Sequence, residues 1–184
     1  MERCDIEKFS ELFVLENGRP IQLERWQLEN LIRPVFTNLK SDGTRKVNLS
    51  LCGIPKKNGK STLAALVACY MLLADGEPEP EVYGAAGGRD QARIIFRQTA
   101  AAIKRSPILS QSVNIWKDTI ERRDGRGFYK VLAADAPLQH GLNPHCVVWD
   151  ELWNQRNYDL WEALTHSPAR KQALHWCVTY AGYF

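Results

Sequence analysis

Ile54-Pro55-Lys56-Lys57-Asn58-Gly59-Lys60-Ser61-Thr62 is the stretch that decides the fold. An apolar, strand-like run over residues 47–52 precedes it. An apolar, helix-like run over residues 63–73 follows it. A glycine followed by Lys-Ser at a strand-to-helix turn is how a phosphate-binding loop is built. Backbone N–H groups and the helix N-terminus face the anion, the lysine reaches the outer phosphates, and the serine hydroxyl ligates Mg²⁺. The usual spacing, GxxxxGK(S/T), puts a first glycine at position 54. Ile54 stands there, and Gly53 is one residue early. A basic surface turn could contain the same letters, but the strand and helix flanks are the context that phosphate binding requires.

Cys146-Val147-Val148-Trp149-Asp150-Glu151 supplies the partner such a loop needs. A buried apolar strand delivers a carboxylate to its C-terminal edge, where ligands bind in open α/β sheets. An acidic residue there holds Mg²⁺ in P-loop NTPases, which assigns that role to Asp150 together with Ser61. A second carboxylate directly after it, Glu151, can orient the attacking water or take its proton. Neighbouring strand residues point to opposite faces, so the two acids can divide these tasks. Two exposed acids at a strand end are common. Their place downstream of the phosphate loop gives the functional reading its weight.

The rest of the chain bounds the answer. Its 184 residues fit one domain with a sizeable core. A net charge of +3 permits contact with nucleic acid without arguing for it. The five cysteines form no CxxC pair, and His140 and His145 lack sulfur partners at zinc spacing. Cys52, Cys146 and Cys177 read as small buried hydrophobes in a reducing compartment. No signal peptide and no membrane-spanning apolar run is visible, so an intracellular chain is expected.

Strand-like and helix-like segments alternate, which predicts an α/β fold with a mostly parallel sheet flanked by helices. Helices are expected over residues 23–33, 61–73, 90–104 and 158–164. The first should stop before Pro34. Strands are expected over 47–52, 81–86, 146–149 and 174–180. Residues 113–122 and 127–133 should form a hairpin around Asp124-Gly125, and 135–144 a loop. The strand at 81–86 lies between the two motifs in sequence. That fits the P-loop branch with an additional strand and a catalytic glutamate.

With these segments in place, the chain resembles the N-terminal ATPase domain of a tailed-phage terminase large subunit, the DNA-packaging motor. Leu23-Glu24-Arg25-Trp26-Gln27 resembles the family's upstream Trp-Gln element. Residues 54–62 resemble its deviant Walker A motif, which also lacks the first glycine. Val82-Tyr83-Gly84-Ala85-Ala86 with Arg89-Asp90-Gln91-Ala92 resembles the next strand and helix start. Gly141-Leu142-Asn143-Pro144 before residues 146–151 resembles the approach to Walker B. Thr179-Tyr180-Ala181-Gly182 resembles the coupling motif. The likeness runs from about residue 23 to 182, and the order of five elements makes it specific.

The resemblance implies ATP and Mg²⁺ as cofactors. It implies a nucleotide site made of Gln27, Lys56, Lys57, Asn58, Gly59, Lys60, Ser61 and Thr62. Gln27 would contact adenine, and Thr179 and Gly182 would sense the γ-phosphate state. Lys60 and Glu151 would be catalytic. It also implies double-stranded DNA, a portal protein and a small terminase subunit as partners, assembly as a homo-oligomer, no membrane, and a place in the cytoplasm of a bacterial host. Family members often carry Arg where Lys56 stands; Lys56 keeps the charge without the planar fork. The chain stops at Phe184, so the expectation is a single, incomplete ATPase domain over residues 1–184 without nuclease activity. A helicase-like nucleic-acid motor and a nucleotide-binding remnant without turnover stay open beside this reading. Arg122, Arg123, Arg126 and Arg156 are candidates for an arginine offered to DNA or a neighbouring subunit. Trp149, Trp153 and Trp161 are expected to pack the core.

Overall fold

The computed structural model describes residues 3–132, 142–152, 159–165 and 170–180. Seven strands form one sheet: β1 (Leu49–Gly53), β2 (Glu81–Ala86), β3 (Val113–Ile115), β4 (Thr119–Arg122), β5 (Phe128–Val131), β6 (Cys146–Asp150) and β7 (Leu174–Thr179). Their spatial order is β1-β7-β6-β2-β5-β4-β3. The pairs from β1 through β5 are parallel; β4 and β3 close the far edge antiparallel. The sheet is thus mostly parallel, as the alternation predicts.

Helices α1 (Ile6–Ser10), α2 (Arg25–Gln27), α3 (Arg33–Phe36), α4 (Lys60–Leu73), α5 (Arg89–Arg105), α6 (Pro107–Ser110) and α7 (Asp159–Thr165) complete the described elements, with one π-helical turn at Leu28–Ile32. Helix α4 carries no polar stripe, because Leu63 through Leu72 are all buried. It packs on the sheet side by side with α5, and α1 lies against it, so little of its surface meets water and it is apolar all round. Ala64, Ala65 and Ala68 let its neighbours approach closely, and Thr99 of α5 donates to the Ala65 carbonyl at 3.3 Å. Strand β6 is likewise buried on both faces, as a central parallel strand should be.

Cores lie on both faces of the sheet. The larger joins α1, α4 and α5 to Cys52, Val82, Val148 and Trp176. The smaller joins α7 to Tyr83, Ala85, Val147, Trp149 and Cys177. Trp149 and Trp161 pack against each other there, with ring centroids 5.1 Å apart. Trp153 and Arg156 lie outside the described residues. The Trp149 indole donates to His175 at 3.3 Å. Burial pushes His175 down to about 4, so it accepts as a neutral ring.

Two expectations need correction. The first helix does not end before Pro34. It starts at Arg25, widens into the π turn and continues through Pro34 to Phe36. Pro34 lies in the first turn of α3, where a missing N–H is tolerated. Nor is 113–122 one strand. It breaks at residues 116–118, where the Trp116 N–H reaches back to the Thr119 carbonyl at 2.8 Å. The product is a three-stranded meander. The turn at Asp124-Gly125 stands as expected, with Gly125 at φ +71°.

Candidate nucleotide site

Strands β1, β7 and β6 end side by side. The register runs Gly53 against Thr179 and Asp150 against Val178. Just past these ends, the Ile54 N–H donates to the Thr179 carbonyl at 3.2 Å, and the Glu151 N–H donates to Val178 at 2.9 Å. The end of β7 therefore ties the loop after β1 to the acids after β6. Three sequence motifs far apart in the chain meet at one edge of the sheet.

The loop itself is wound tightly. Lys57 has φ +67° and Gly59 φ +73°. Gly59 is the left-handed N-cap of α4, a conformation that costs little only without a Cβ. The first-turn N–H groups that follow, from Lys60 to Thr62, have no partner inside the helix. Lys60 folds back over the loop. Its ammonium donates to the carbonyls of Ile54 at 2.9 Å and Pro55 at 3.0 Å. Asn58 bonds Pro55 and Lys56, both at 3.3 Å. Lys56, Lys57, Asn58 and Gly59 are exposed, and Ser61 and Thr62 are half-buried.

The Tyr180 ring lies under this cluster, 4.5 Å from Lys56 Nζ and 5.5 Å from Lys60 Nζ. Thr179 faces Gly53, its methyl 3.9 Å from where a Cβ would stand. Gly182 lies outside the described residues.

Gln27 also reaches the loop, with its Nε2 3.9 Å from the Cβ position of Gly59. Its carbonyl oxygen accepts from the Glu24 N–H at 2.9 Å as half of a capping box.

Asp150 is only 4% exposed. Among the described residues no lysine or arginine pairs with it. Burial pushes its carboxyl above the ordinary range. A hydrogen bond from Gln91 opposes the shift, and the charge of Glu151 adds to it. A buried acid without a cation partner is costly unless a ligand supplies the charge. Glu151 sits at φ +49°, a conformation uncommon for any residue but glycine and associated with functional sites. Asp150 and Ser61 are hard oxygen donors, the type that suits Mg²⁺.

Sequence reasoning assigned no role to Gln91 or Tyr180. Gln91 donates to Asp150 Oδ2 at 2.8 Å. The signal was the Arg89-Asp90-Gln91 start of a helix after β2, but only the strand order reveals that β2 runs beside β6. The arginines of the meander turn inward on themselves. Arg122 pairs with Asp124, and Arg123 bonds the Val113 carbonyl at 3.3 Å. Arg126 is exposed.

A Gly-Lys-Ser loop after one strand, an Asp-Glu pair after another, and a third strand between them define a P-loop NTPase. The family model described as the terminase large subunit ATPase domain matches residues 33–183, and the chain belongs to that family. It is 27% identical over 140 residues to the large terminase subunit of Enterobacteria phage HK97, covering 73% of this chain. It spans about a quarter of that relative's length, 26%. The crystal structure of the HK97 large terminase superposes with a TM-score of 0.80 at 25% identity, over 95% of this chain and 36% of that one. The ATPase domain of the Thermus phage P74-26 large terminase shares the fold, with a TM-score of 0.70 at 17% identity over 100% of this chain and 72% of that one.

Proposed function

We propose that the chain binds ATP with Mg²⁺ at the ends of β1, β7 and β6 and hydrolyses it. The observation that carries this is a buried Asp150, paired with no lysine or arginine among the described residues, beside a phosphate loop held there by β7. Lys60 exchanges its two loop carbonyls for the β- and γ-phosphate oxygens, which give its charge a stronger partner. Ser61 and Asp150 hold the metal. When bound, Mg²⁺ supplies charge neutralisation between the outer phosphates.

Glu151 accepts the proton of the attacking water as the water oxygen bonds the γ-phosphorus and the bond to the ADP oxygen breaks. Gln27 lies beside the loop for contact with adenine. Thr179 and Gly182 follow the γ-phosphate through the β7 end, which touches both halves of the site. Lys56, Lys57, Asn58, Gly59 and Thr62 complete the phosphate cradle.

Membership of the terminase ATPase family supports reading this hydrolysis as that of a packaging motor. The work driven is translocation of double-stranded viral DNA into a capsid. Portal protein and small terminase subunit are the partners, a homo-oligomer is the working form, and the host cytoplasm is the setting. No helix among the described residues is long and apolar enough to cross a membrane. Phosphate release, measured with and without Mg²⁺ and with double- or single-stranded DNA added, tests the proposal. Turnover that needs Mg²⁺ and rises with duplex DNA is expected. Turnover stimulated by single strands alone would favour a helicase-like motor, and ATP binding without turnover would favour a nucleotide-binding remnant.

A further inference from the structure

We infer that Gln91 is a positioning residue for Asp150: its side-chain amide holds one carboxylate oxygen and leaves the other for the metal. The inference rests on the reading of Asp150 as the metal-ligating acid. The contact spans 59 residues of sequence at 2.8 Å. It exists because Ala86, the last residue of β2, lies opposite Asp150 in the sheet register. The chain turns through Gly87-Gly88 and starts α5 at Arg89, which places Gln91 in the first turn of that helix, above the end of the neighbouring strand.

That first turn is itself fixed. Arg93 grips Asp118 with two bonds, Nε to Oδ1 at 2.8 Å and Nη2 to Oδ2 at 3.0 Å. Arg89 adds a third to Oδ2 at 2.8 Å. Asp118 belongs to the break between β3 and β4, so the meander braces the start of α5 from outside. A two-pronged arginine–carboxylate pair fixes orientation as well as distance. Gln91 is therefore a supported donor rather than a loose surface amide.

The chemistry favours a neutral donor at this position. An arginine or lysine would hold Asp150 as firmly, but its charge would compete with the metal for the carboxylate. An amide N–H orients the oxygen and leaves the negative charge for the cation. Hydrogen bonds of this kind to ligating carboxylates set metal affinity from outside the coordination sphere.

The test compares the wild-type chain with Gln91→Met, which keeps the length and loses the N–H, with Gln91→Leu as a second shape, and with Asp150→Ala. Mn²⁺ binding to the ADP complex is followed by electron paramagnetic resonance, and metal-free ADP binding is measured in EDTA. Both Gln91 variants should weaken Mn²⁺ by about tenfold, the low end for lost outer-sphere partners, and change the spectrum of bound Mn²⁺. ADP affinity in EDTA should stay at the wild-type value. In turnover, the KM for Mg²⁺ should rise while kcat at saturating Mg²⁺ largely recovers. Wild-type Mn²⁺ affinity in both Gln91 variants, with Asp150→Ala impaired, overturns the inference and leaves the metal site standing. An equal loss of ADP affinity in EDTA also overturns it, because the damage would then be to the phosphate loop. Wild-type Mn²⁺ affinity in Asp150→Ala would instead remove the reading on which the inference rests.

Discussion

Replacing Arg45 by Met should destabilise the fold by about 3 kcal/mol, the low end for breaking a buried ion pair. At the end of the sheet opposite the nucleotide site, Arg45 and Asp75 both have fully buried side chains. Arg45 Nη1 meets the two Asp75 oxygens at 2.6 and 2.7 Å, and its Nη2 bonds the Gln172 carbonyl. His145 Nε2 donates to Asp75 at 2.9 Å, and Arg3 adds a partly buried contact at 3.2 Å. The cluster joins the segments entering β1, β6 and β7 to the end of α4. Arg3 and His145 remain in the variant, which is why the low end applies.

For a chain of this size the loss corresponds to a fall of roughly 6–12 °C in Tm. Burial alone would raise the Asp75 pKa. Hydrogen bonds from His145 and Arg45, with the Arg45 charge, outweigh it and hold the carboxyl below its ordinary value. A depressed folded pKa gives stability that is present above the unfolded value and lost as pH falls through the folded one. The gap between wild type and Arg45→Met should therefore be full at pH 7 and narrow below about pH 4, where a free aspartate begins to protonate. Urea unfolding at a series of pH values measures it. A loss under about 1 kcal/mol at pH 7, the range of an exposed pair, would refute the reasoning. So would a gap that stays constant down to pH 3.

Gly59→Ala places a Cβ at φ +73°, which should cost about 1–2 kcal/mol in thermal or urea unfolding and weaken ATP in a fluorescence titration. Gly127→Ala sets a Cβ 2.7 Å from two Pro80 ring carbons and 2.9 Å from the Pro80 carbonyl. It should lower stability by about 1–3 kcal/mol, as overpacking does, and leave nucleotide affinity unchanged. Lys60→Ala removes a charge-assisted contact with phosphate worth about 1.5–3 kcal/mol, so ATP affinity in a fluorescence titration should fall by about one to two orders of magnitude.

The parts of the fold legible in sequence are those that local chemistry dictates. Strand β2 was bounded to the residue because Pro80 and Gly87-Gly88 punctuate it. Helix α4 was legible because ten consecutive buried residues leave few alternatives. The loop and the Asp-Glu pair were legible because each follows an apolar strand. What escaped depends on pairing between distant segments. Pro34 looked like a stop, since sequence gives no sign of a π turn that carries the helix past it. His145 reads in sequence only as a histidine without zinc partners, and only the fold brings it to Asp75. Gln91 was one polar residue in a helix start until the strand order placed it over Asp150.

Glu151→Gln is the most direct test of the central claim. The amide keeps the shape and removes the proton acceptor. ATP should bind at wild-type affinity, and single-turnover hydrolysis should slow by roughly 10²–10⁴-fold, the range for loss of a general base. Hydrolysis at the wild-type rate with ATP bound would contradict the account, because the acid at the end of β6 would then have no part in activating water.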